Sequence, residues 1–223
     1  MSIEKNRVVT DIDESFNYIL NDKFILEDLY ERKIFLNSEI DENTIETAVY
    51  HIMRYNAIDK EFPVEERKPI RLYINSPGGL VIEGFALIDC IRLSKTPVYT
   101  INLGKSFSMA LLIFMAGHQR YAMPHSQFLL HDGENGGADS AAKLKDYLDF
   151  SLNQISKMTK EYVLSCTNIS EDLYDNNYRR EWYFLVNEGK SLGIVDYIIG
   201  EDCPLSEILS PFGRKTPTSI GRG

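Results

Sequence analysis

Three short segments of this chain combine residue types that could carry out acyl transfer. The first is a glycine-rich turn, Asn75-Ser76-Pro77-Gly78-Gly79-Leu80, and the second, Gly104-Lys105-Ser106-Phe107-Ser108-Met109, contains two serines. The third, Leu129-Leu130-His131, ends in a histidine. Backbone N–H groups that receive a developing anion, a serine hydroxyl and an imidazole base are the parts of a nucleophilic acyl-transfer site.

Two serines are candidates for the nucleophile. Ser108 is predicted at the first turn of an apolar helix, where unpaired N–H groups and the helix dipole favour negative charge. Ser106 lies two residues earlier, and Lys105 makes a serine–lysine dyad a further option. The spacing of the segment does not choose among these alternatives.

His131 is the histidine best placed to act as a general base. It ends an apolar strand and begins a polar, glycine-rich loop, so the strand can fix its backbone while the ring faces a cleft. Structural or solvent-facing roles are expected for His51, His118 and His125. A carboxylate that orients His131 could come from the C-terminal part of the chain, where the candidates are Asp172, Asp175 and Glu181.

The elements around these segments alternate between short β-branched runs and longer helical patterns, which is typical of an α/β domain. The predicted strands are 33–36, 70–74, 98–103, 127–130 and 194–198, and the third is expected to stop at Gly104. Helices are predicted at 42–56, 81–93, 108–115 and 140–166, around 173–174 and at 185–192.

The length of 223 residues and the 43% hydrophobic content predict a single domain. We place this domain at residues 23–209. Residues 1–22 are polar and weakly periodic, and residues 210–223 are rich in Pro, Gly, Ser and Thr. Both ends are therefore expected to be flexible.

Charge and cysteine content exclude several classes of function. A net charge of −9 argues against a surface for nucleic acid or an anionic membrane. The three cysteines are widely spaced, so neither a disulfide framework nor a metal site is expected. No apolar stretch is long enough to span a bilayer, and we expect a soluble, cytoplasmic protein.

Four motifs in order resemble the proteolytic subunit of the Clp ATP-dependent protease. They are Tyr73-Ile74-Asn75-Ser76-Pro77-Gly78-Gly79, Gly104-x-x-x-Ser108-Met109, Pro124-x-Ser126-x-x-x-x-His131 and Gly193-Ile194-Val195-Asp196. The resemblance covers about residues 24–199. It implies the α/β fold that Clp peptidases share with crotonases, built of repeated ββα units, with a long protruding helix used in ring stacking.

The same resemblance assigns roles to residues. It implies that Ser108 is the nucleophile, that His131 is the general base, and that the N–H groups of Gly79 and Met109 form the oxyanion hole. Ungapped alignment of residues 167–183 puts Glu181 where the family usually has the triad aspartate, with Asp175 or Asp172 as alternatives. Phe107 also replaces one of the family's usual small residues before the nucleophile.

The implied function is that of a serine endopeptidase subunit of a self-compartmentalising protease, which cleaves unfolded polypeptides or short peptides. No cofactor is expected, and ATP would act only through a partner AAA+ unfoldase. The expected assembly is a homo-oligomer of two stacked heptameric rings. The first alternative is a catalytically weak or silent ring subunit that assembles with an active Clp paralogue. The second is a crotonase-like acyl-CoA enzyme.

A peptide substrate is expected to add as an extended strand beside the glycine-rich turn. Backbone groups of such a strand would pair with Gly79-Leu80-Val81 on one side and with Gly136 and Gly137 on the other, and Gly78 is a further expected substrate-binding residue. Leu80 and Ile82 are expected to line a nearby side-chain pocket.

Overall fold

The computed structural model describes residues 23, 25–133 and 140–209 of the chain. Within these residues seven strands form one sheet, and helices pack mainly on one of its faces. The two ends that were predicted to be flexible, 1–22 and 210–223, lie outside the described residues. The long, apolar helix that a membrane span requires does not occur in the described part of the chain.

The elements follow the predicted alternation. The strands are β1 (Lys33–Leu36), β2 (Ile70–Ser76), β3 (Val98–Phe107), β4 (Gln119–Ala122), β5 (Gln127–Leu130), β6 (Trp182–Leu185) and β7 (Tyr197–Ile198). The first helices are α1 (25–30), α2 (Glu42–Thr44, π-helical Ile45–Val49 and Tyr50–Ile58), α3 (Val81–Leu93) and α4 (Met109–Met115). The others are α5 (Ala141–Phe150, π-helical Ser151–Ile155 and Ser156–Cys166), α6 (Glu171–Asn177), α7 (Val186–Ser191) and α8 (Ser206–Leu209).

The sheet has the order β1-β2-β3-β4-β7, and all of these strands are parallel. β5 joins it as a parallel neighbour of the last residues of β3, and β6 pairs antiparallel with β5. The prediction that the third strand stops at Gly104 is wrong, because β3 continues to Phe107. Its last three residues bond to a second partner strand instead of leaving the sheet.

Asn102 stabilises the branch at which β3 exchanges β4 for β5. Its side-chain amide donates to the carbonyl of Gln127 at 3.2 Å and accepts from the N–H of Gly104 at 3.0 Å. Its backbone carbonyl accepts from the Ser126 hydroxyl at 3.0 Å. Asn102 is fully buried, so these bonds satisfy its polar groups and hold the start of β5 against β3.

Side-chain alternation along β2 divides the core between the two faces of the sheet. Ile70, Leu72 and Ile74 belong to the large cluster under the helices, whereas Tyr73 belongs to a smaller aromatic cluster on the opposite face.

The burial of α5 changes along its length. Ala141–Phe150 has no buried side chain, whereas Thr159, Tyr162 and Val163 in its last part are buried.

Arg120 and Asp196 form a half-buried ion pair that connects β4 to the segment before β7. The Arg120 guanidinium donates to both carboxylate oxygens of Asp196, at 3.0 and 2.7 Å, and to the carbonyl of Cys166 at 3.1 Å. The Arg120 side chain is only 7% exposed. Loss of the carboxylate would therefore leave a charge with little access to water.

We expect Asp196→Ala to destabilise the fold by about 3 kcal/mol, which corresponds to a fall of about 6 °C or more in Tm. Glu171→Ala is the control, because Glu171 pairs with Lys160 while its side chain is 70% exposed. That change should cost less than about 1 kcal/mol. Equal losses in thermal unfolding of the two variants would contradict the role given to the Arg120–Asp196 pair.

Candidate active site

The ends of four strands meet at one edge of the sheet. β2 ends just before Gly78 and Gly79, β3 ends before Ser108, and β5 ends before His131. Because β6 runs antiparallel to β5, its first residues lie at the same edge, directly after Glu181. The three segments that the sequence singled out are thereby brought together.

Ser108 occupies a strained turn between β3 and α4. Its φ of 54° and ψ of −125° are unusual for a residue with a side chain, and such backbone conformations cost about 1–3 kcal/mol. The Ser108 N–H donates to the Leu129 carbonyl at 2.9 Å, which ties this turn to β5. Its Oγ lies 2.8 Å from Nε2 of His131.

The alternative nucleophile Ser106 and the alternative base Lys105 lack this geometry. Ser106 is fully buried, and its hydroxyl is without a hydrogen-bond partner among the described residues. Lys105 pairs with Gln127 through the backbone of β3 and β5, and no hydrogen bond between Lys105 and Ser108 occurs in the described part of the chain. The serine that contacts a base is therefore Ser108.

Strand register explains why Glu181 reaches His131. Leu130 is opposite Trp182 in the antiparallel pair of β5 and β6, so the next residues outward, His131 and Glu181, face each other. Nδ1 of His131 lies 2.8 Å from Oε1 of Glu181. An ionised carboxylate can only accept, so Nδ1 is the donor in this bond, and the matching tautomer leaves Nε2 to accept from the Ser108 hydroxyl.

The hydrogen bond from His131 lowers the pKa of Glu181, and Tyr183 lowers it further by a smaller amount. The Glu181 side chain is 57% exposed, so the lowered pKa reflects its partners and not an enclosed site. The alternative carboxylates are placed elsewhere. Asp175 pairs with Lys160 at 2.8 Å, and Asp172 is exposed in the first turn of α6.

The glycine turn brings backbone N–H groups next to Ser108. Gly78 has a φ of 102°, and a Cβ on it would lie 2.7 Å from Cβ of Ser108 and 3.1 Å from N of Met109. The Gly78 N–H is used internally, since it donates to the buried Ser76 hydroxyl at 3.2 Å. Within the described residues, the N–H groups of Gly79 and Met109 donate no backbone hydrogen bond.

Ile40 is a contact of this turn that the sequence did not indicate. Its N–H donates to the Gly78 carbonyl, and its carbonyl accepts from the Leu80 N–H, each at 2.8 Å. These bonds form a parallel bridge that uses one edge of the Gly79 backbone, so a substrate strand could pair only on the opposite edge. The single residue pair lies outside regular strands and leaves no periodic signal.

The predicted substrate-binding side chains are partly described. Leu80 and Ile82 are 49% and 78% exposed at the start of α3, so they are open to a ligand. Gly136 and Gly137 lie outside the described residues. Groups of three or more His, Cys, Asp or Glu side chains that could hold a metal ion do not occur in residues 25–133 and 140–209.

Met109 is anchored on the helical side of the site. Its side chain is 3% exposed and fills the space beside Gly84 in α3, where an added Cβ would lie 2.2 Å from Cγ of Met109. This close approach of α3 and α4 fixes the first turn of α4. Gly84 was not among the predicted site residues, although a glycine inside a helical pattern indicates close packing.

Comparison with known protein families gives a match over most of the chain. The family model described as Clp protease matches residues 20–202. The matched range contains all four strand ends that form the site.

We expect Gly78→Ala to slow modification of Ser108 by a fluorophosphonate by about a hundredfold, because the new methyl group would displace Ser108. Gly200→Ala is a matched control. Its φ of 92° causes similar backbone strain, but no atom lies within 4 Å of the added Cβ. An equal decrease of the labelling rate in both variants would contradict the prediction, because it would show that backbone strain causes the effect and crowding of Ser108 does not.

Proposed function

Since this chain belongs to the Clp protease family, we propose that it is a serine endopeptidase that cleaves unfolded polypeptides or short peptides through an acyl-enzyme. One observation carries the proposal. Ser108, His131 and Glu181 form a continuous hydrogen-bonded chain with both donor–acceptor distances at 2.8 Å. The arrangement supplies a nucleophile, a base and a group that orients the base.

In the proposed first half-reaction, Nε2 of His131 takes the hydroxyl proton as Ser108 Oγ attacks the peptide carbonyl. Glu181 stabilises the imidazolium that forms. The same imidazolium then protonates the leaving amine, and the acyl group remains on Ser108. In the second half-reaction His131 activates a water molecule, which releases the acyl group and restores the serine.

The backbone N–H groups of Gly79 and Met109 are proposed to hold the oxyanion of each tetrahedral intermediate. Two features support this assignment. The turn at Gly78 approaches Ser108 closely, and Met109 begins α4, where the helix dipole favours negative charge. The extended substrate is proposed to pair with the Gly79 edge that Ile40 leaves open, close to Leu80 and Ile82.

An active subunit is favoured over a silent one by the bond between Glu181 and His131. The longer side chain of glutamate, compared with the family's usual aspartate, still reaches Nδ1 at hydrogen-bond distance. Phe107 does not separate the three residues either, because Ser108 bonds His131 with Phe107 in place.

The proposed assembly is two stacked heptameric rings in the cytoplasm, with ATP used only by a partner AAA+ unfoldase. Exposed apolar side chains on α5 support self-association, since Tyr147, Phe150 and Leu152 are each more than half exposed in the isolated chain. Such a surface is stabilised when another subunit covers it.

We expect Ser108→Ala to abolish fluorophosphonate labelling and to reduce hydrolysis of a fluorogenic peptide by at least about a thousandfold. Ser106→Ala is the matched control, because this buried serine near the same strand end should leave labelling intact. Labelling that persists in Ser108→Ala would contradict the assignment. Hydrolysis of an acyl-CoA thioester that survives Ser108→Ala would instead favour the crotonase-like alternative.

For the assembly, we expect sedimentation of the 25.6 kDa chain at about 360 kDa. Leu152→Glu should reduce this mass, because a charge would replace an apolar contact between subunits. Gln154→Glu, two residues along the same helix, is the control and should leave the mass unchanged. A monomeric wild-type protein would contradict the ring proposal.

A further inference from the structure

Glu181 is an unusually exposed orienting carboxylate. Its side chain is 57% exposed, and glutamate has one more rotatable bond than aspartate. The hydrogen bond to His131 requires one arrangement of that side chain. A neighbouring group that restricts the side chain would therefore contribute to the geometry of the site.

Strand register identifies the side chains next to Glu181. Phe107 on β3 pairs with Leu129 on β5, and Leu129 pairs with Tyr183 on β6. The three residues form a row across the sheet, two residues inward from His131 and Glu181. Because side chains two residues apart share a face, this row lies on the same face as the His131–Glu181 pair.

Phe107 and Tyr183 pack against each other within this row. Their ring centroids are 5.7 Å apart, and the planes meet at 83°, an edge-to-face contact. Leu129, between them in register, is only 5% exposed. The Tyr183 side of the pair is 58% exposed, so the contact with Phe107 restrains an otherwise open ring.

Tyr183 also interacts directly with the glutamate. Its N–H donates to the Glu181 carbonyl at 3.2 Å. Burial and the nearby Glu181 carboxylate raise the pKa of the Tyr183 hydroxyl. The two side chains are thus electrostatically coupled on the shared face of β6.

We propose that Tyr183 is a positioning residue, whose ring, held edge-to-face by Phe107, confines the Glu181 side chain to the arrangement that bonds His131. This inference rests on the proposed peptidase function. It gives Phe107 a role as a support for Tyr183. The role is specific to a site that carries the longer carboxylate.

A double-mutant cycle tests the proposal in the assembled protein. Tyr183→Ala should lower kcat for a fluorogenic peptide about tenfold and leave KM within about twofold, because Tyr183 acts on the orienting group. In a Glu181→Ala background the same change should cost less than about twofold. Equal losses in the two backgrounds, or an effect on KM alone, would overturn the proposal.

Two further variants separate this role from general packing. Tyr183→Phe keeps the ring and should retain activity within about threefold of wild type. Leu185→Ala removes the next exposed apolar side chain on the same face of β6 and should have no effect on kcat. A loss of kcat in Tyr183→Phe as large as in Tyr183→Ala would contradict a positioning role for the ring. An equal loss of kcat in Leu185→Ala would contradict it as well.

A crystal structure of Tyr183→Ala gives a measurement that does not depend on turnover. We expect Oε1 of Glu181 to lie beyond about 3.5 Å from Nδ1 of His131, outside hydrogen-bond distance. A distance that stays at 2.8 Å would overturn the positioning role, whatever the activity. An inactive wild-type protein whose Tyr183→Ala variant loses this bond would contradict the peptidase function alone.

Discussion

The pairing of β5 with two different strands determines the geometry of the candidate site. β5 runs parallel to the end of β3, which delivers Ser108, and antiparallel to β6, which follows Glu181. Both hydrogen bonds of His131 therefore depend on the register of one short strand. A slip of one residue would turn every side chain of β5 to the other face and remove the imidazole from both partners. The Asn102 bonds at the start of β5 and the Ser108–Leu129 bond at its end oppose such a slip.

The site also requires backbone conformations that most residues avoid. Ser108 has a positive φ, and Gly78 can approach it only because it has no Cβ. Strain of this kind persists where surrounding contacts determine the conformation. Here the contacts are the Ile40 bridge on one side and the close packing of Met109 on Gly84 on the other. Packing in the apolar core under the helices thus maintains the strained backbone of Ser108 and Gly78 at the end of the strands.

Much of the fold was predictable, because apolar periodicity and turn residues are local signals. α3 was predicted with the bounds that the structure has, and the end of β5 correctly placed His131 after a strand. β6 was not predicted, because α7 begins at Val186 directly after it and no turn residue separates the two elements. Local patterns also left open the choice among the carboxylates Asp172, Asp175 and Glu181. It depends on the register of β6 against β5, a pairing between residues about fifty positions apart that propensity cannot encode.

Glutamate at the position where the family resemblance implies an aspartate shows how side-chain length and strand register act together. Register fixes the separation of the His131 and Glu181 backbones, so an added methylene must be accommodated by the side chain alone. Toward solvent there is room, as the exposure of Glu181 indicates, but room also permits other rotamers. A glutamate at this position can therefore reach His131, but its side chain must be held in one rotamer to do so. Phe107 fits this reasoning: a small residue at its position would leave Tyr183 without the edge-to-face contact that restrains it beside Glu181. The two departures from the family pattern, which look separate along the chain, are thus connected through Tyr183 in the folded sheet.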